Sequence, residues 1–187
     1  MAAGQGAGMA LLVTHLAAAT AALVWVFIEW VSFKKPTLVG AATGTIAGLA
    51  TVTPASGFIG PMGGFILGLA GGFVCYGAVI LIRQRLKIDD SLDVFAVHGV
   101  GGMLGILLVP FLALGAVGGL GLPDDTTVWQ QFGTQVIGVL ATAGWTAVAS
   151  IAILFAIKAV TGLRVAPETE EQGLDTGVHG EQGYHLS

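Results

Sequence analysis

Long apolar segments separated by short polar ones make up most of this chain. A helix needs about 20 apolar residues to cross a bilayer, and most of these segments reach that length. The second segment is close to the lower limit. The pattern predicts an all-α fold, a polytopic membrane helix bundle with about five transmembrane helices. The five apolar segments are residues 9–30, 38–53, 58–82, 90–117 and 128–160.

The pattern changes abruptly after Lys158. Residues 161–187 hold too few apolar side chains to build a core of their own. We therefore predict a transmembrane helical domain over residues 7–160 and a cytoplasmic tail over residues 161–187. His179 and His185 lie among glycines in this tail, but two histidines are too few for a metal site, so no metal or other cofactor is expected.

Composition places the chain in a bilayer rather than in water. It is 55% hydrophobic and only 10% charged, with a mean hydropathy of +0.87, far from the values of soluble domains. A net charge of −4 gives no reason to expect a nucleic-acid partner. Glycine recurs every fourth residue from Gly60 to Gly72, which is typical of helices that pack closely in lipid.

The basic residues indicate how the chain crosses the membrane. They occur in three groups, each separated from the next by two apolar segments, so five spans would place all of them on one side. Because Lys and Arg favour the cytoplasmic side, we predict a cytoplasmic C-terminus and an extracytoplasmic N-terminus in the cell (inner) membrane. The groups are Lys34 with Lys35, Arg83 with Arg85 and Lys87, and Lys158 with Arg164.

Residues 89–105 carry the most informative chemistry. His98 lies inside an apolar segment, where an ionisable side chain costs a few kcal/mol unless it faces protein or a wet cavity. Asp90 or Ser91 is expected to cap this helix, and Asp90 would lie at a mouth, about two turns or roughly 12 Å from His98. Gly101 and Gly102 leave the face beside the imidazole free for another helix or a small solute. The alternative is that His98 only forms a hydrogen bond with a neighbouring helix and has no role in transport.

For other polar residues inside the apolar segments, the predicted roles are less specific. Thr43 and Thr53 are expected either to line a passage or to pack helices together. We expect Glu29 to reach water or to pair with a neighbour, and His15 to be buried and hydrogen bonded to another helix. An intramembrane enzyme is not expected, because Ser56 lies outside a Gly-x-Ser-x-Gly elbow and no His-Glu-x-x-His motif occurs.

Several stretches together resemble the ammonium transporter and Rh protein family. Three of them are WVFIEWVSFKK at 25–35, TGTIAGLATVTP at 43–54 and DDSLDVFAVHG at 89–99. The tail adds GLRV at 162–165, EEQGLD at 170–175 and HGE at 179–181. Their order and spacing agree with the family over nearly the whole chain, and the resemblance is to its C-terminal half.

The resemblance implies a fold, a transport activity and partners. The chain would correspond to helices seven to eleven of a protein that forms homotrimers. His98 would be one of two pore histidines, and Asp90 and Asp93 would be carboxylates at the start of its helix. Ammonium would lose a proton and cross a hydrophobic pore as ammonia. The tail residues that would meet a PII-type signalling protein are Arg164, Gly173, Leu174, Asp175, His179, Gly180 and Glu181.

The resemblance also leaves an alternative function open. The other pore histidine, the phenylalanine gate and the aromatic outer ammonium site belong to earlier helices of the family, and no stretch of these 187 residues supplies them. A regulatory membrane module that binds a PII-type protein through its tail, without conducting, is the second hypothesis. Removing the tail distinguishes the two, because only partner binding depends on it.

Overall fold

The computed structural model describes residues 3–183, and this part of the chain is helical without any strand. The predicted all-α class is therefore confirmed. The last helix in the bundle, α5, is the longest, and α3 and α4 each include a wider π-helical turn. The helices are α1 (Gln5–Phe33), α2 (Leu38–Val52), α3 (Pro61–Val79, continued by the π-helical turn Ile80–Arg85), α4 (Val100–Leu112, preceded by the π-helical turn Val94–Gly99) and α5 (Val128–Val160).

Four of these helices are long and apolar enough to cross a membrane, and α2, with 15 residues, is shorter. The chain is a multi-pass membrane protein. The predicted fourth segment, 90–117, was wrong at both ends, since the helix covers only Val94–Leu112. It starts late because Asp93 adopts a left-handed backbone conformation, with φ of 55°, that a helix cannot contain. After Leu112 the chain leaves the helix and forms a short 3-10 turn at Gly115–Val117.

Glycines let α2 and α3 pack directly on α1. A Cβ atom added at Gly68 of α3 would lie 2.7 Å from the carbonyl oxygen of Ala17, and one at Gly64 would lie 2.9 Å from that of Val13. Gly48 of α2 contacts the backbone of Ala17 in the same way. The predicted packing role of the glycine repeat is confirmed, because at these positions a side chain has no room.

Two apolar clusters hold the first four helices together. One, near the end of the bundle where α4 finishes, contains buried residues of α1 to α4 and of the loops between them. The other surrounds Trp25, whose ring meets that of Tyr76 edge to face at 5.0 Å, and includes Cys75 and Val97. The second cluster thus lies directly under the turn that carries His98. The first cluster consists of Val13, Ala17, Val52, Ala55, Ile59, Leu67, Val109, Leu112 and Ala113.

The chain divides by its contacts into two compact units, Met1–Val139 and Leu140–Ser187, with the division inside α5. In the first unit, Phe111 of α4 packs against Trp129 of α5, with ring centroids 5.7 Å apart. The second unit holds the rest of α5 and the tail. The tail contains a short helix, α6 (Pro167–Gln172), and a π-helical turn (Asp175–His179), neither with a buried residue. The division at residue 160 between membrane domain and tail stays a prediction.

Candidate functional site

His98 lies on the outer surface of the π-helical turn Val94–Gly99. Ala96 and Val97 of this turn are buried, whereas the His98 side chain is exposed. A π-helical turn is wider than an α-helical one and occurs often at functional sites. The structure therefore presents the imidazole outward from the described bundle instead of holding it between the helices.

Asp90 caps this turn from the preceding loop. Its carboxylate accepts hydrogen bonds from the backbone N–H groups of Val94, Phe95 and Ala96, at 2.8, 3.0 and 3.0 Å. These N–H groups have no partner within the helix, and a carboxylate also suits the positive end of the helix dipole. Capping by Asp90 agrees with the sequence prediction. The expected two helical turns between Asp90 and His98 were wrong, because Asp90 lies outside the helix.

Asp93 pairs with Arg83, which the sequence analysis used only to orient the chain in the membrane. The Arg83 guanidinium nitrogen Nη1 lies 3.4 Å from Oδ1 of Asp93, and the two side chains are 48% and 14% exposed. Arg83 belongs to the π-helical turn at the end of α3. The ion pair therefore ties the end of α3 to the start of α4. Only the tertiary structure reveals it, because ten residues and a loop separate the partners.

The two glycines that follow His98 have different environments. A Cβ atom at Gly101 would lie 2.9 Å from Oγ1 of Thr51 and 3.1 Å from Sγ of Cys75. A Cβ atom at Gly102 would have no atom of another described helix or side chain within 4 Å. Gly101 thus lies against α2 and α3, whereas Gly102 leaves open space. Gly102 is four residues after His98 and shares its helix face.

The threonines in and directly after α2 also divide into two kinds. Thr43, and Thr53 at the C-terminal cap, donate their hydroxyl protons to the carbonyls of Val39 and Leu49 of α2, at 2.9 and 2.6 Å. Their oxygens stay available as acceptors, and Thr53 is exposed. Thr51 is fully buried and contacts α3 and α4. The sequence analysis missed it, although it follows Gly44 and Gly48 on one helix face.

The prediction for Glu29 is confirmed, whereas the prediction for His15 is wrong. The Glu29 carboxylate accepts hydrogen bonds from the backbone N–H of Thr37, at 2.7 Å, and from its hydroxyl, at 3.1 Å. Thr37 in turn accepts one from the N–H of Gly40 at 2.8 Å, which caps α2. Pairing of Glu29 with a neighbour is confirmed, and its role is structural. The predicted burial of His15 was wrong, since its side chain is exposed.

The tail positions predicted to meet a partner are accessible. Arg164 forms an exposed ion pair with Glu170 at 3.7 Å. Gly173 and Gly180 have positive φ angles of 91° and 66°, which glycine adopts without strain, so both shape the turns of the tail. Leu174, Asp175, His179, Gly180 and Glu181 are all exposed. His185 lies outside the described residues.

Comparison with known proteins identifies the family. The profile of the Ammonium Transporter Family matches residues 1–184. The chain belongs to the ammonium transporter family. The ammonium transporter of Aquifex aeolicus is 40% identical over 189 residues, which is 98% of this chain and 43% of that protein. For the ammonium transporter of Bacillus subtilis the identity is 35%, over 93% of this chain and 43% of the relative.

Solved structures of the family share the fold. Mep2 of Saccharomyces cerevisiae matches 88% of this chain and 39% of its own, with a TM-score of 0.75 and 32% identity. A protein described as a sensor Amt protein matches 94% of this chain and 42% of its own, with a TM-score of 0.81 and 30% identity. The chain therefore spans less than half the length of the family members it matches.

Proposed function

We propose that this chain supplies part of an ammonium-conducting channel, with His98 facing the path of the solute. The observation that carries the proposal is an exposed imidazole on a capped π-helical turn, beside the open face at Gly102, in a member of the ammonium transporter family. Other parts of such a channel would cover this face, since the relatives are more than twice as long.

The chemistry of the solute supports this role for His98. A bare ammonium ion is costly to move through a dry pore, whereas neutral ammonia is not. Ammonium would therefore give its proton to a water molecule at the entrance and cross as ammonia. A neutral imidazole carries a donor at one ring nitrogen and an acceptor at the other, so it can donate a hydrogen bond to ammonia or accept one from ammonium.

The remaining predicted residues have supporting parts in this proposal. Asp90 and Asp93 are engaged by backbone N–H groups and by Arg83, so they hold the turn in place and do not carry the ion. The oxygens of Thr43 and Thr53 could accept hydrogen bonds from ammonia. Gly102 keeps the face near His98 free of side chains.

Location and assembly are part of the same proposal. The basic residues at the ends of α1, α3 and α5 favour a cell (inner) membrane protein with a cytoplasmic C-terminus and an extracytoplasmic N-terminus. We propose a homotrimer as the assembled form. The apolar α5, in which no residue is buried, supports further protein or lipid contacts.

A chimera tests conduction directly. Residues 1–187 replace the matching C-terminal part of the Aquifex aeolicus transporter, and methylammonium uptake is measured in proteoliposomes. We expect uptake by the chimera and its loss in His98→Ala. His15→Ala, which removes an exposed histidine of α1, is the matched control and should conduct normally.

Unchanged uptake and selectivity in His98→Ala would remove His98 from the mechanism. Absence of uptake in a chimera that folds and inserts normally would contradict conduction by this sequence. Measurement on residues 1–187 alone then shows whether the chain conducts without additional helices.

The exposed tail supports a second proposed function, binding of a cytosolic PII-type signalling protein. Its surface combines an ion pair, glycine turns and the exposed residues Leu174 and Asp175. Deleting residues 164–187 should abolish capture of a purified PII-type protein while uptake persists. Capture without any uptake by the intact chimera would favour the non-conducting regulatory module.

A further inference from the structure

A buried polar junction lies behind the turn that carries His98. Thr51 of α2 and Cys75 of α3 are both fully buried, and both face Gly101 of α4. The hydroxyl of Thr51 donates to the carbonyl of Ala47 at 2.7 Å. Neither residue belongs to the proposed path of ammonia, so their place in the centre of three helices needs another explanation.

The thiol of Cys75 reaches the backbone directly next to His98. Its Sγ atom lies 3.7 Å from the carbonyl oxygen of Val97, to which it donates a hydrogen bond between α3 and the π-helical turn. That carbonyl belongs to the peptide plane shared by Val97 and His98. Fixing its direction therefore limits where the Cα atom and imidazole of His98 can lie.

Glycines on two helices make room for this junction. The Thr51 side chain contacts Gly71 of α3, and a Cβ atom at Gly101 would lie 2.9 Å from its hydroxyl oxygen. The Thr51 carbonyl contacts Gly105 one turn further along α4. Three glycines thus contact one threonine. Because these positions carry no side chains, α3 lies close enough to α4 for the Cys75 contact.

We propose that Cys75 is a positioning residue for His98, and that Thr51 holds the two helices at the separation this contact needs. Asp90 fixes the amino end of the π-helical turn by capping, and Cys75 fixes its carboxyl end through Val97. The imidazole is then free on its outer side while its backbone is held at both ends. The importance of this positioning for transport rests on the proposed function of His98, whereas its experimental test does not.

Nuclear magnetic resonance of histidine side chains tests the proposal on the chain itself. Residues 1–187 carrying ¹⁵N-labelled histidine are reconstituted in lipid bilayers, and the signal of His98 is assigned by its loss in His98→Gln. In Cys75→Ala we expect the ring-nitrogen signals of His98 to shift or broaden, because the turn loses its buried contact with α3. Cys75→Ser keeps a donor at this position and should restore them.

Two controls separate positioning from a general packing defect. Val13→Ala also removes buried volume, but from α1 against Gly64, and should leave the His98 signals unchanged. The signal of His15 should stay the same in every variant. Unaltered His98 signals in Cys75→Ala, or an equal change in Val13→Ala, would overturn the proposal. Uptake that is insensitive to His98→Ala would instead contradict the proposed function and leave the spectroscopic result intact.

Discussion

The glycine-lined face of α3 and the turn that carries His98 are held in place by different kinds of contact. Along α3, Gly64, Gly68 and Gly72 each meet α1 at a distance that leaves no room for a side chain. At the His98 turn, the backbone is held by polar groups, the Asp90 carboxylate and the Cys75 thiol, and the side chain is left outside.

The difference is between packing and positioning. Along α3, where only packing is required, the helix backbones meet directly. At the turn that carries His98, polar anchors fix the backbone without covering the imidazole, which we propose faces the solute. α4 contains both cases a few residues apart, since Gly101 and Gly105 are packed and Gly102 is open. Four pairs of variants test whether the two regions differ in this way.

The largest difference in stability within a pair is expected in α3. In Gly68→Ala the new methyl group meets the carbonyl oxygen of Ala17 at 2.7 Å, a backbone contact that cannot move aside. We expect a loss of about 3 kcal/mol in unfolding free energy, measured in detergent micelles. Gly77→Ala in the same helix has nothing within 4 Å and should gain up to about 1 kcal/mol. Equal effects at both positions would show that the face is not tightly packed.

A second pair compares two glycines of α4. Gly105→Ala places a methyl group against the Thr51 carbonyl, a backbone contact at least as close as that at Gly68, and we expect it to lower stability by about 3 kcal/mol. Gly102→Ala should not destabilise, because its position is open. Thermal unfolding of both variants measures the difference. A destabilised Gly102→Ala would mean that another part of the protein packs on this face and that no solute path exists there.

The third pair tests the polar anchor at the start of the turn. Asp90→Ala removes an acceptor of three backbone hydrogen bonds, and we expect a loss of about 1 kcal/mol. Asp89→Ala, its exposed neighbour, is the control and should be neutral. Hydrogen exchange at Val94 to Ala96 should accelerate in Asp90→Ala alone. Unchanged exchange would contradict the capping role.

The smallest effect belongs to the ion pair of Arg83 and Asp93. Because Arg83 is half exposed, solvent screens the pair, and Arg83→Gln should cost no more than about 0.5 kcal/mol at low salt. The loss should disappear at high salt. Arg85→Gln on the same turn is the control. A large effect that is independent of salt would indicate that Arg83 holds the turn by packing.

The sequence revealed the membrane-spanning class and the residue types of the site. Apolar segments gave four of the five helices to within a few residues, the glycine spacing gave the packing face of α3, and Asp90 was correctly expected to cap the helix. The start of α4 could not be predicted. Periodicity does not show that Asp93 takes a left-handed conformation or that the next turn is π-helical.

The information that can be read from the chain without coordinates is therefore local: which segments enter lipid, and which ionisable residue among them needs an explanation. The packing of the helices was needed to show which glycine is packed and which is open, that Arg83 meets Asp93, and that Thr51 and Cys75 lie behind His98. The physical reason is that helix periodicity fixes the face on which a residue lies. What that face meets depends on how separate helices approach each other, and no single segment encodes that approach.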